Sequence, residues 1–325
     1  MNNRINYLDA AKGICMLFII CAHTGFNTHI PMAHTAQTTL FFLLSGYFFK
    51  NIENFNTFLK KSIETIVIPF LIFYLFSYFL FYLGVWFYPG FIEITSAKGV
   101  LDCFTQKQFF NGPLWFLLCL FWVRSIVWIL FKSINNVWLQ SLVVFFIGCI
   151  GILVGKYEID LPLYADTALS STPYFFVGYL LHKFKWMEKF GKIESGLLSF
   201  VFYSSCFSFP VVIYHSINRF EGSFFAIIYV SVALSIAWIL LSRCLLNKSV
   251  ILSFIGRNSM WLMCSHHLIY RPIKLLLSQV ASNEFVNTGL VFVITLIICC
   301  ITAPIISKYF PLVIGKGNRL MKIES

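Results

Sequence analysis

Charge is scarce in this chain. Of its 325 residues, 11% are Asp, Glu, Lys or Arg, where soluble domains carry about 25%. That excludes a water-soluble globule as the whole protein. No hydrophilic stretch reaches the ~50 residues that a separate soluble domain needs, so residues 1–325 read as a single membrane domain. Signature spacings are missing too. There is no CxxC pair and no HExxH, so the histidines lack the spacing and the carboxylate of a common zinc site, and no metal is expected. GxSxG and the SxxK, SDN, KTG set are absent, which removes the familiar serine nucleophiles. We find no internal repeat and no low-complexity segment. The N-terminus carries no cleavable signal pattern, because Lys12 leads straight into a long apolar run without a small-residue cleavage site.

What is abundant is apolar. Hydrophobic residues make up 59% of the chain and the mean hydropathy is +0.81, so a polytopic, all-α membrane protein is expected. The 38 Phe, 15 Tyr and 8 Trp suit a lipid-facing surface with interfacial belts. Nine of the ten cysteines lie within apolar runs, which makes them small buried hydrophobes rather than disulfide partners. The net charge of +11 is spread between apolar runs and forms no stripe, so it argues for membrane topology and against nucleic acid.

Ten apolar runs are long enough to count as spans: about 8–27, 35–50, 64–86, 113–131, 137–155, 168–184, 195–214, 223–243, 251–270 and 287–307. An even number places both termini on one side. With that side cytoplasmic, seventeen Lys and Arg fall inside and six outside, leaving Arg124 within the fourth run. The asymmetry predicts cytoplasmic N- and C-termini. The loops at 87–112 and 156–167 mix aromatic rings (Tyr88, Phe91, Phe109, Phe110, Tyr157, Tyr164) with Glu158, Asp160 and Asp166. They read as interfacial belt and solvated loop, with a sugar-binding surface as the alternative. The tail from Lys308 onward is basic and is expected against the inner leaflet.

The first run carries the sharpest constellation. From Lys12 to His23 is eleven residues, three helical turns plus about 20°, so both share one face about 16 Å apart along the axis. Asp9 lies one turn before Lys12 on that face. A titratable ring inside a membrane is costly and suggests a use; apolar surroundings keep an imidazole neutral and able to accept a proton. Hydrogen bonding to a neighbouring helix is the plainer role. In the second run, Ser45-Gly46 reads as a packing notch, or Ser45 orients a catalytic group. Lys50, Lys60 and Lys61 follow where an anionic ligand would enter. Arg124 needs a carboxylate, a phosphate or water, or else reaches for the inner surface. Late in the chain, His267, Arg271 and Lys274 share a face, with His266 turned about 100° away.

The segments YLDAAKGICMLFIICAH (7–23), LFFLLSGYFF (40–49), KKSIETIVIPF (60–70), GPLWFLLCLF (112–121), PYFFVGYLL (173–181) and IGRNSMWLMCSHH (255–267) together resemble acyltransferase family 3. Within it the chain most resembles the fucose 4-O-acetylase-like branch. The resemblance implies a ten-helix O-acyltransferase of the bacterial inner (cytoplasmic) membrane. Its donor would be cytoplasmic acetyl-CoA, and its acceptor a sugar hydroxyl of a surface polysaccharide or lipid-linked precursor. It puts the family's basic residue on Lys12, its catalytic histidine on His23, its serine-glycine pair on Ser45 and Gly46, and its late histidine on His266. Three stretches depart from the pattern. Lys12 replaces the commoner Arg, Gln37 stands where the branch often has His, and Glu64 and Thr65 occupy the stretch expected to hold a second basic residue. No esterase-like domain is expected within residues 1–325.

On this reading His23 is general base or acyl carrier, with Asp9 and Ser45 beside it in the catalytic set. Lys12, Lys60, Lys61 and Arg124 meet the donor. Trp115, His266, His267 and Arg271 face the acceptor. Lipid surrounds the chain, and a homo-oligomer stays open. The alternatives are a transporter or flippase for a polysaccharide intermediate, or a membrane sensor without turnover.

Overall fold

The computed structural model describes residues 6–26, 32, 35, 37–50, 54–87, 100, 109–278 and 283–316. Each of the ten apolar runs forms helix, and the only sheet among the described residues is one small hairpin. In chain order the elements are α1 (Asn6–Thr24), α2 (Gln37–Tyr47), α3 (Phe55–Ser62), α4 (Ile68–Phe87), α5 (Trp115–Ser133), α6 (Val137–Lys156), α7 (Ala165–Lys183), α8 (Lys192–Ser205), β1 (Val212–Tyr214), β2 (Arg219–Glu221), α9 (Phe224–Leu241), α10 (Val250–Arg257), α11 (Ser259–Ser278) and α12 (Glu284–Tyr309).

Among the described residues, six helical stretches are long and apolar enough to cross a membrane: Asn6–Thr24, Phe55–Phe87, Gly112–Ser133, Val137–Lys156, Phe224–Leu246 and Glu284–Tyr309. The protein is therefore a multi-pass membrane protein. Among the other runs, α2 has 11 residues and α8 has 14, short for a bilayer of about 30 Å.

Local chemistry explains where the helices depart from the apolar runs. The third begins at Phe55, capped by the Asn54 side chain, which accepts from the Asn56 N–H at 2.8 Å. It passes through a π turn, Ile63–Val67, just before Pro69. Proline has no N–H for the preceding turn and its ring crowds that turn's carbonyl, so the backbone widens there. The seventh run does not continue to 214. Its helix ends at Ser205, Cys206–Ser208 makes one tight turn, and Pro210 precedes an antiparallel hairpin pairing Val212 with Glu221 and Tyr214 with Arg219. The ninth run breaks at Asn258, between α10 and α11.

Two crossings are close enough to need glycine on both sides. A Cβ on Gly13 would lie 2.2 Å from the Leu252 carbonyl oxygen, and one on Gly256 would lie 1.8 Å from that of Asp9. This clamps the Lys12 end of α1 onto α10. Likewise α2 meets α7 through Gly46 and Gly178, with 1.8 Å separating each hypothetical Cβ from a carbonyl oxygen across the joint. Helices without a hydrophobic drive between them associate by such backbone approach.

The loop aromatics find a plainer place than a sugar surface. Phe109, Phe110 and Tyr164 are buried, and Tyr164 packs at 5.5 Å from Phe109 and 5.8 Å from Trp115. Asp160 pairs with Arg219 at 3.3 Å and Glu158 approaches it at 3.9 Å. Tyr88 and Phe91 lie outside the described residues.

Candidate active site

Two cavities meet inside the bundle. The first, of about 370 Å³, opens beside the start of α1. Lys12 from α1, Ser45 and Lys50 at the end of α2, Lys61 and Thr65 from the α3–α4 helix, and Arg124 from α5 all line it. Every charged residue in its wall is basic. Lys12 lies with Nζ 4.7 Å from the centre of the Phe48 ring. Arg124 donates from Nη1 to Thr65 Oγ1 at 3.2 Å and stacks near Phe49. Thr65, which lines this wall, lies within the π turn that precedes Pro69.

The second cavity, of about 300 Å³, lies beside the other end of α1. His23, Gln37, Thr38, Trp115, Tyr214, His215 and Ser216 line it. Phe41, Phe116 and Met263 belong to the walls of both cavities and form a thin apolar septum between them.

Behind His23 stand the paired histidines of α11. His267 Nε2 is 3.3 Å from His23 Nδ1, and the His266 ring centre is 5.2 Å from that of His23. Neither lines either of these two cavities. The Gly112 N–H donates to His267 Nδ1 at 3.3 Å, which makes that nitrogen an acceptor. The neutral His267 then carries its hydrogen on Nε2 and gives it to His23 Nδ1. His23 in turn keeps Nε2 as the nitrogen available to the cavity. For that nitrogen to accept a proton, both neutral rings must change tautomer, His23 carrying its hydrogen on Nδ1 and His267 carrying its own on Nδ1, at the expense of the Gly112 bond, about 1 kcal/mol. The Nδ1 of His266 is 2.7 Å from the Leu262 carbonyl oxygen and donates to it in the neutral ring, so the buried Nε2 is left without a partner. Although three imidazoles gather here, among the described residues no group of three or more His, Cys, Asp or Glu side chains is placed to hold a metal ion. His29 and His34 lie outside the described residues.

The candidates thus divide. Lys12, Lys61, Arg124 and Ser45 share the basic cavity, so Ser45 stands with the cations rather than with His23. Lys60 points away, exposed, 4.0 Å from Glu64. Asp9 is buried one turn before Lys12 and does not line either cavity. Trp115 lines the histidine cavity. Arg271 lines neither; its guanidinium lies 4.8 Å over Phe110.

Sequence reasoning missed His215. Its Nε2 lies 2.9 Å from Thr39 Oγ1, and burial in the hairpin pulls its pKa down from 6.5 to about 4. A base whose folded pKa is depressed binds its proton first in the unfolded chain. Its contribution to stability is intact above pH 6.5 and drains away as pH falls toward 4, amounting to about 3 kcal/mol. Between pH 7.5 and 4.5 the melting temperature of wild type should therefore fall further than that of His215→Gln. Equal falls would mean that His215 is protonated in the folded state.

The matching family model is described as an acyltransferase domain, and it covers residues 5–304. The chain belongs to acyltransferase family 3. No curated protein matches, and no solved structure does. Membership supports membrane acyltransferase activity for this protein. It also makes sense of two cavities of unlike character, since an acyltransferase must hold a donor and an acceptor.

Proposed function

We propose that this protein transfers an acetyl group from acetyl-CoA to a sugar hydroxyl of a surface polysaccharide or its lipid-linked precursor, in the manner of the fucose 4-O-acetylase-like branch. It does so as one domain over residues 1–325, in a bacterial inner membrane, with ten helices spanning and both termini cytoplasmic. The observation that carries the reading is the pair of cavities, one walled by cations and one by His23, separated only by Phe41, Phe116 and Met263.

Lys12, Lys61 and Arg124 hold the phosphates of CoA by charge-assisted hydrogen bonds. The pantetheine arm runs along α1 and brings the thioester to the septum; the Lys12-to-His23 rise of about 16 Å suits its length. His23 takes the proton from the acceptor hydroxyl. The hydroxyl oxygen attacks the thioester carbonyl, a C–O bond forms, the C–S bond breaks, and the proton ends on the CoA sulfur. In the acyl-carrier variant of this scheme, His23 Nε2 makes the first attack and passes the acetyl group on.

Purified protein should bind acetyl-CoA and release CoA when a glycan acceptor is added. In Lys12→Ala and in Arg124→Ala, the KM for acetyl-CoA rises about ten- to a hundredfold, the worth of a charged hydrogen bond. Lys60→Ala leaves it unchanged. If Lys60→Ala weakened the donor and the other two did not, the basic cavity would not be the donor site.

A further inference from the structure

Thr65 does two jobs with one hydroxyl. Its hydrogen goes from Oγ1 to the Lys61 carbonyl at 2.7 Å, so the bond from Arg124 Nη1 at 3.2 Å falls on a lone pair. One group thereby ties the backbone of one cation in the basic cavity to the head of another. Arg124 reaches this wall from α5 with no carboxylate partner among the described residues. Thr65 and the Phe49 ring, whose centre is 6.0 Å from the guanidinium carbon, hold it instead. A carboxylate in the place of Thr65 would orient the guanidinium and also cancel its charge. A hydroxyl orients it and leaves the charge whole for an anion.

Thr65 is itself held from behind. Four residues on stands Pro69, which has no N–H for the Thr65 carbonyl. That carbonyl faces the end of the chain. After α12, Pro311–Ile314 makes one tight turn and stops at Gly315, which is in the left-handed conformation at φ 67°. A Cβ on Gly315 would lie 2.7 Å from the Thr65 carbonyl oxygen and 3.1 Å from its Cα, so only glycine lets the two backbones come this close. The turn is anchored independently. Ile314 is buried, the Lys316 N–H donates to the Pro311 carbonyl at 2.8 Å, and the Lys316 ammonium donates to Ser307 Oγ at 3.1 Å. As sequence this stretch reads only as part of a basic tail; folded, it backs the cation wall.

We infer that Thr65 is a positioning residue for the donor: its hydroxyl aims Arg124 at a phosphate of CoA, and the C-terminal turn, through Gly315, holds the π turn that carries it. This rests on the assignment of the basic cavity to acetyl-CoA and adds the residue and the segment that set its geometry.

A merely structural Thr65 would act whether or not Arg124 is present; a positioning one acts through it. Full-length protein in detergent is titrated with acetyl-CoA by calorimetry. Thr65→Val keeps the shape and loses the hydroxyl, and should weaken binding about tenfold, while Thr65→Ser restores most of the affinity. In an Arg124→Ala background Thr65→Val adds nothing further, the mark of two groups working as one. Gly315→Ala weakens binding in the same direction, by less than tenfold, and again only where Arg124 is present. Thr65→Val at wild-type affinity, Thr65→Ser as weak as Thr65→Val, or an undiminished tenfold loss in the Arg124→Ala background overturns the assignment of Thr65. Gly315→Ala at wild-type affinity overturns the part given to the C-terminal turn. Arg124→Ala that binds acetyl-CoA as tightly as wild type, or wild type that does not bind it at all, overturns the donor reading beneath both.

Discussion

CoA release falls by about 10²- to 10⁴-fold in His23→Ala, while acetyl-CoA still binds. The effect is expected in kcat because His23 lines the cavity beyond the septum rather than the basic cavity proposed for the donor. The neighbouring imidazoles are poor substitutes. His267 is set one hydrogen bond behind His23, and its Nδ1 is occupied by Gly112. His266 gives its Nδ1 hydrogen to Leu262 and is fully buried. Neither reaches the cavity wall, so removing His23 leaves the hydroxyl without a base. Single-turnover mixing of acetyl-CoA with protein and acceptor is the measurement. Unchanged turnover in His23→Ala would sink the assignment of that residue, and loss of acetyl-CoA binding would move His23 to the donor site.

Gly46→Val or Gly178→Val is expected to prevent folding. At either position a Cβ would fall 1.8 Å from a carbonyl oxygen of the other helix, far inside any tolerated contact. The obstacle is backbone, so no rotamer change relieves it. Parting α2 from α7 would open the packing around Leu43, Tyr47 and Phe175, all buried. Overpacking of this kind belongs with the exceptional losses, above about 4 kcal/mol. Gly289→Ala is the contrast: its Cβ would meet the Phe26 ring edge at 3.4 Å, and alanine favours the helix by about 1 kcal/mol. Size-exclusion profiles in detergent should show a monodisperse peak for Gly289→Ala and none for the two valine variants. A folded Gly46→Val protein would mean that α2 and α7 are not packed through their backbones.

The helices were legible because apolar runs and charged boundaries are local signals. The shared face of Lys12 and His23 was legible for the same reason, although the two residues open into different cavities. What the sequence hid is non-local or small. Thr65 occupies the stretch where the resemblance asks for a cation, and the missing charge arrives from Arg124, fifty-nine residues on, by a hydrogen bond no spacing announces. His267 meets His23 across 244 residues. The β1–β2 hairpin has strands of three residues each, too short for alternation to register, so Val212–Tyr214 read as the end of a span. Lys60 and Lys61 look equivalent as letters, yet the 100° between neighbours turns one toward Glu64 and the other into the cavity.

The septum has a consequence for the cell as well as for the reaction. Cavities entering a membrane protein beside opposite ends of one spanning helix would, if joined, be a pore. Protons and small ions would run down it and discharge the gradient across the membrane with every open protein. Phe41, Phe116 and Met263 are an insulating plug, apolar and one side chain thick. On the proposed reaction, an acyl group is handed across this barrier while water and charge are refused.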